Sequence, residues 1–274
     1  MFEKIIRNVS EKTPLTHMIT NYVTVNDCAN ILLACGGSPI MSDEITEVQE
    51  ITSICSALCI NIGTLNSRTI ESMLAAGERA NELRHPVVLD PVGAGASSLR
   101  TETTFRLMEK VRFSVIRGNA SEIKTIAKGS GSTKGVDANL ADAVSEDNLG
   151  EAVAFIKAMA EKTGAVIAMT GAIDLVGDDS RVYVIRNGHP MMSKVSGTGC
   201  MLSGLIAAYC GANPDDILEA ASAAVCAMGL CGERAAARLK GANGGTASLR
   251  SFIIDEMSLL DETVLNGGAK VEIR

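Results

Sequence analysis

No stretch of this chain supplies the roughly 18 consecutive apolar residues that a membrane-spanning helix needs. The nearest candidate, "ILEAASAAVCAMGLCG" from Ile217 to Gly232, is rich in alanine and glycine and carries Glu219, so it reads as a buried helix. A run of lysine or arginine is also missing. With 25 basic against 32 acidic residues and a formal net charge of -7, the chain lacks the basic patch that holds a phosphate backbone, which argues against a nucleic-acid partner. The opening "MFEKIIRNVSEK" has charges throughout and no apolar signal-peptide core, so a cytoplasmic protein is expected. The eight cysteines never adopt CxxC spacing, which disfavours a zinc ribbon or a disulfide scaffold. Seven of them read as small packing residues in apolar segments. There is no GxxxxGK[ST], so this is not a P-loop enzyme, and "GAGASS" lacks the third glycine of a dinucleotide fingerprint. Internal repeats and low-complexity tracts are absent too.

What is present is alternation. The 274 residues fall within the range of one α/β domain, 1–274, and a chain of this length buries roughly three quarters of its unfolded surface. Helical signals ("VTVNDCANILLACGG", closed by Gly36; "SRTIESMLAAGERANELR"; "ASEIKTIAKG"; "EAVAFIKAMAEKTG") alternate with short Val/Ile-rich runs ("ALCINIG", "PVVLDP", "FSVIRGN", "AVIAMTG"). That pattern predicts a mostly parallel sheet covered on both faces. "IDLVGDD" and "RVYVIRNG", joined by Asp178, Asp179 and Ser180, predict an antiparallel hairpin at the sheet edge. The polar segment from Gly129 to Asn148 is expected to be an exposed loop within one domain, and the chain beyond Cys200 to be nearly all helix to about Asp261.

Ligands of open α/β sheets bind at the carboxyl ends of the strands, so the residues after each strand signal carry the functional reading. They are Asp90 with the glycines of "DPVGAGAS", Arg117, Asn119 and Glu122 of "RGNASE", Thr170 and Gly171, and finally "SGTGC". Two carboxylates, a cation and two glycine-rich turns suit phosphoryl transfer, which requires positioning and charge neutralisation more than covalent chemistry. Simpler explanations fit each piece alone. Asp90 before Pro91 could end a strand in a turn, Asn119 and Glu122 have the spacing of a helix cap, Arg117 could be a surface charge, and Thr170 a turn former. Joint placement after successive strands favours the functional reading. In "KVSGTGCMLSGLIAAY", Cys200 stands where a helix begins, a place whose free N–H groups and dipole suit an anion; a close-packing glycine turn with Cys200 as a small core residue fits equally.

"NASE" fits the NxxE motif of the ribokinase-like superfamily, and "SGTGC" takes the place of its GAGD anion-hole motif. Together, "THMITNYVTVNDCANILLACGGSPIMSDEITEV", "VVLDPVGAG", "IRGNASEI" and "VSGTGC" resemble the hydroxyethylthiazole kinase family, in order from about Pro14 to the last helices. The resemblance implies a ribokinase-like three-layer α/β/α fold and phosphorylation of 4-methyl-5-(2-hydroxyethyl)thiazole by ATP with Mg²⁺, in thiamine salvage. It also implies a homotrimer with active sites at subunit interfaces. By the same resemblance Met41 and Gly197 match thiazole-contacting positions, with Asn21 and Val23 as further thiazole neighbours. Arg117 and Thr170 match ATP-contacting positions, with Asn119 beside them, and Asp90 and Glu122 match the acidic positions near Mg²⁺. Gly197, Gly199 and Cys200 occupy the catalytic turn.

The superfamily places an aspartate base where this chain has Cys200. An ordinary thiol titrates near ~8.5, and a helix N-terminus lowers that value, so a thiolate could accept the proton of the attacking hydroxyl. Cys200 is therefore expected to be a modest base, with the glycine N–H groups and Mg²⁺ carrying most of the rate. A covalent cysteine nucleophile is the rival, although none of His17, His85 and His189 stands out as its partner. A kinase of hydroxymethylpyrimidine or pyridoxal, or a non-catalytic sensor on the same fold, would lack respectively the "NYVTVNDCAN" block or the acidic pair; both are present.

Overall fold

The computed structural model describes residues 1–129 and 143–274. The chain opens with α1 (Glu3–Lys12), β1 (Leu15–Ile19), α2 (Val25–Ala34), β2 (Ser38–Met41), α3 (Val48–Ile54) and β3 (Ala57–Asn61). It continues through α4 (Ser67–Glu82), β4 (Val87–Asp90), α5 (Ser98–Lys110), β5 (Val115–Asn119), α6 (Ala120–Gly129), α7 (Leu149–Thr163) and β6 (Val166–Thr170). The antiparallel β7 (Asp174–Gly177) and β8 (Val182–Ile185) follow, then α8 (Thr198–Ala212), α9 (Ile217–Ala242), α10 (Thr246–Ser258), α11 (Glu262–Gly268) and β9 (Val271–Ile273).

Local chemistry explains the boundaries. Asn66 caps α4 by accepting from the N–H groups of Arg68 and Thr69, while the Thr69 hydroxyl oxygen accepts from the Asn66 N–H. Gly36 (φ +90) and Gly164 (φ +68) supply the left-handed turns that leave α2 and α7.

Nine strands form one sheet in the order β2-β1-β3-β4-β5-β6-β7-β8-β9. Every pair from β2 to β6 is parallel, and β7, β8 and β9 add antiparallel strands at one edge. Alternate strand residues enter opposite cores: Ala57, Cys59 and Val88 meet α1, α2 and α8 to α11, while Leu58, Ile60 and Leu89 meet α3 to α7. The result is the expected three-layer α/β/α arrangement. No helix among the described residues is long and apolar enough to cross a membrane. Residues 220–232 of α9 are instead buried within the chain's own core.

Three strands lie outside the sequence expectation. β1 carries Thr16 and His17, both buried, so its apolar signal is interrupted. β2 is four residues long with a proline, tolerated because this strand is an edge. β9 pairs with β8, so the hairpin is not itself the outer edge. Most of the loop expected at 129–148 falls on 130–142, outside the described residues; Gly129 closes α6, and Glu146–Asn148 form a short 3₁₀ turn into α7.

Candidate active site

The carboxyl ends of β1, β3, β4, β5 and β6 converge on the first turn of α8. Register places Asn61, the last residue of β3, beside Asp90, the last of β4, and Asn119 beside Thr170. Asp90 is fully buried, and its Oδ2 accepts from Asn61 Nδ2 at 2.8 Å and from Ser203 Oγ at 2.7 Å. The Ser203 bond latches α8 onto the end of β4. Its Oδ1 is also buried and has no hydrogen-bond partner. Burial pushes the Asp90 carboxyl up to about 6, opposed by the Arg117 guanidinium 3.6 Å from Oδ2 and by these two hydrogen bonds.

Arg117 is an interior group rather than a surface charge, with 13% of its side chain exposed. Its Nη2 donates to Thr170 Oγ1 at 2.8 Å. A Cβ on Gly199 would lie 2.6 Å from Nη1, so only glycine lets the helix start sit directly on the guanidinium. Gly197, at φ +91, is the N-cap of α8, and a Cβ there would lie 2.5 Å from Thr24 Cγ2. The two glycines thus clear opposite sides of the helix mouth, one toward β5 and the other toward the turn between β1 and α2.

The helix-cap explanation of Asn119 and Glu122 holds. Asn119 Oδ1 accepts from the Glu122 N–H at 2.9 Å and Glu122 Oε2 from the Asn119 N–H at 2.8 Å, a reciprocal cap. Yet Oε1 accepts from the N–H of Gly93 (φ +73) at 2.8 Å, so the same carboxylate ties the glycine loop after β4 to α6.

Cys200 stands in the first turn of α8. Its sulfur accepts from Asn21 Nδ2 at 3.1 Å and from Asn61 Nδ2 at 3.3 Å. Asn21 also donates to Asn61 Oδ1 at 3.1 Å and accepts from the Thr24 hydroxyl, so the sulfur, the two amides and Asp90 form one hydrogen-bonded chain. The first backbone bond of the helix runs from the Met201 N–H to the Gly197 carbonyl, which leaves the N–H groups of Thr198, Gly199 and Cys200 ahead of the intrahelical ladder. With the positive end of the dipole, they form an anion cradle.

On the β6 side of this mouth lies a cleft of about 690 Å³ whose walls include Arg117, Thr170, Asp174, His189, Thr198 and Met228. Its size and mixed lining suit a nucleotide. Gly171 N–H donates to Asp174 Oδ1 at 2.8 Å, while burial pushes that carboxyl up to about 7. On the other side, Met41 ends β2, half-buried against the core. Val23 has 64% of its surface exposed, and neither Val23 nor Met41 lines that cleft.

Asn61 and Ser203 were not among the predicted site residues. Asn61 ends the strand run "ALCIN" and was open to the same strand-end rule. Ser203 becomes visible only when the helical repeat from Gly199 is followed one turn on. Among the described residues no group of three or more His, Cys, Asp or Glu side chains could enclose a metal. A buried, unpartnered carboxylate oxygen on Asp90 does fit Mg²⁺, which is usually held by one or two carboxylates completed by water and phosphate.

The hydroxyethylthiazole kinase family model matches residues 6–263. A hydroxyethylthiazole kinase of Clostridium acetobutylicum is 59% identical over 272 residues, covering 99% of each chain. Among solved structures, the hydroxyethylthiazole kinase protein of Pyrococcus horikoshii is 34% identical with a TM-score of 0.87, over 99% of this chain and 98% of that one. A ribokinase-like superfamily protein of Enterococcus faecalis shares the fold at a TM-score of 0.59 and 12% identity, over 94% and 89% of the two chains.

Proposed function

We infer that this chain, which belongs to the hydroxyethylthiazole kinase family, transfers the γ-phosphoryl group of ATP to the primary alcohol of 4-methyl-5-(2-hydroxyethyl)thiazole in thiamine salvage. The observation that carries the reading is the first turn of α8, standing between the cleft at Thr170 and the Asn21–Cys200 pair. Nucleotide phosphates entering from the first side meet Arg117 and the free N–H groups of Thr198, Gly199 and Cys200, which face the charge that accumulates during transfer. A hydroxyl entering from the other side meets the Cys200 sulfur, which takes up its proton in direct in-line transfer. Asp90, whose buried Oδ1 has no hydrogen-bond partner, and Glu122 would hold Mg²⁺. When bound, Mg²⁺ neutralises phosphate charge.

Met41, Asn21, Val23 and Gly197 contact the thiazole, and Arg117, Thr170 and Asn119 contact ATP. The chain works as one kinase domain, 1–274, in the cytoplasm and as a homotrimer with interfacial sites. Exposed apolar side chains near the opening, Tyr22 at 77%, Val23 and Ile45, support a covering subunit there. The test is incubation with Mg-ATP and the thiazole alcohol, with pyridoxal and hydroxymethylpyrimidine in parallel, read by mass spectrometry. Phosphorylated thiazole alcohol alone is expected. Product only from another alcohol overturns the substrate assignment, and binding without product overturns catalysis.

A further inference from the structure

Arg100, in the first turn of α5, carries no role in the mechanism above and makes no side-chain ion pair among the described residues. It reaches back across two loops instead. Nη1 donates to the Val92 carbonyl at 2.8 Å and Nη2 to the Gly63 carbonyl at 2.7 Å. The Val92 loop follows β4 and the Gly63 loop follows β3, so one planar fork bridges the two segments that leave the centre of the site.

Each loop holds a different arm of that centre. Beside Val92, Gly93 donates its N–H to Glu122 Oε1, and Asp90 lies two residues upstream of Val92. Beside Gly63, the backbone lies against both amides that hold the Cys200 sulfur. The Gly63 N–H donates to Asn61 Oδ1 at 2.9 Å, and a Cβ at Gly63 would lie 2.8 Å from Asn21 Nδ2. Gly93 is packed just as closely, since a Cβ there would lie 2.4 Å from Arg100 Nη1.

We propose that Arg100 is a positioning residue for phosphoryl transfer, its guanidinium fixing the Asp90–Glu122 carboxylates relative to the Asn21–Asn61–Cys200 group. This rests on the kinase reading above. Charge alone does not supply the function, because the fork must satisfy two carbonyls in different directions. A lysine ammonium is a single flexible point charge that cannot span both with the same geometry. The aliphatic stem is retained in Arg100→Lys, so fold and charge persist while the bridge opens.

The test compares wild type, Arg100→Lys and Arg100→Ala for kcat, KM of the thiazole alcohol and Mg²⁺ half-saturation, with thermal unfolding as the fold control. Misplacement by about 1 Å costs on the order of 10²-fold in rate. A fall in kcat of roughly 10- to 10²-fold is therefore expected in both variants, with KM of the alcohol within about threefold and Mg²⁺ half-saturation raised. Added guanidinium ion at non-denaturing concentration should restore part of kcat to Arg100→Ala, and ammonium should not. Wild-type kcat and Mg²⁺ dependence in Arg100→Lys would overturn the proposal. So would a loss in Arg100→Ala that tracks its unfolding and is not rescued by guanidinium while Arg100→Lys stays active. Inactive wild type would instead refute the kinase reading.

Discussion

Gly199→Ala adds one methyl group at the point where the anion cradle meets Arg117. The new carbon would lie 2.6 Å from Nη1 and 2.9 Å from Nη2, where ordinary contact begins at about 3.4 Å. The guanidinium must therefore retreat by roughly 1 Å, since the α8 backbone is latched to β4 through Ser203. Such a retreat lengthens the 2.8 Å bond from Nη2 to Thr170 beyond hydrogen-bonding range and moves the charge away from the phosphate path. A hydrogen bond involving a charged group is worth about 1.5–3 kcal/mol, and each 1.36 kcal/mol is about tenfold in rate. The expected result is a kcat lowered roughly 10- to 10²-fold. Stability should move little, because alanine in a helix is favoured over glycine by about 1 kcal/mol, which offsets the local strain. Steady-state kinetics beside a thermal melt distinguish the effects. Unchanged kcat would refute the claim that close approach of α8 to Arg117 serves catalysis, and a large drop in melting temperature with proportional activity loss would make Gly199 a packing residue only.

Three other outcomes follow from the geometry. Burial pushes the Asp90 carboxyl up to about 6, and the proposed Mg²⁺ role requires its ionised form, so Mg²⁺ half-saturation should rise as pH falls below about 6; in Asp90→Asn, Mg-ATP should give a smaller thermal stabilisation than in wild type, and equal stabilisation would refute the proposed metal role of Asp90. His17 is buried with Nε2 2.9 Å from the Ser42 carbonyl and Nδ1 3.0 Å from Thr52 Oγ1, and burial lowers its pKa. The unfolded chain then binds more protons near the ordinary histidine value of about 6.5. Stability from neutral His17 is present above that value and declines as pH falls through it, so the pH 5–8 slope of melting temperature should be shallower in His17→Asn; an identical slope would refute it. Cys200→Ala should retain measurable turnover, because loose phosphoryl transfer needs little of the roughly 10²- to 10⁴-fold that a general base can give. Abolished turnover with intact ATP binding would make the sulfur indispensable.

How much of this was legible in sequence depended on how local each signal was. The strands from β3 to β6 announce themselves because a strand buried on both faces needs a nearly continuous apolar run, and the rule that ligands gather at strand ends then leads to Asp90, Arg117, Asn119 and Thr170 without any coordinates. β1 and β2 escaped because they break that pattern, one with the buried pair Thr16 and His17, the other with Pro39. β9 escaped because three residues carry no periodicity and take their pairing from β8. The same division runs through the site. The Asn119–Glu122 cap spans three positions and is readable, whereas its bond to Gly93 spans 29 positions and is not.

The glycine pair of α8 shows why distance along the chain matters more than residue type. From sequence, Gly197 and Gly199 are equivalent small residues flanking Thr198. In the fold they answer to unrelated neighbours: Gly197 needs a left-handed backbone beside Thr24, and Gly199 needs an absent side chain beside Arg117. Substitution at the two positions should therefore fail differently. Gly197→Ala forces a residue with a Cβ to φ +91 and against Thr24, at a cost of order 1–3 kcal/mol for the backbone alone, so stability falls together with activity. Gly199→Ala keeps the helix and loses the rate. A melt in which both variants lose the same stability would mean that the mouth of α8 is one rigid glycine turn, and that its two halves do not serve separate sides of the site.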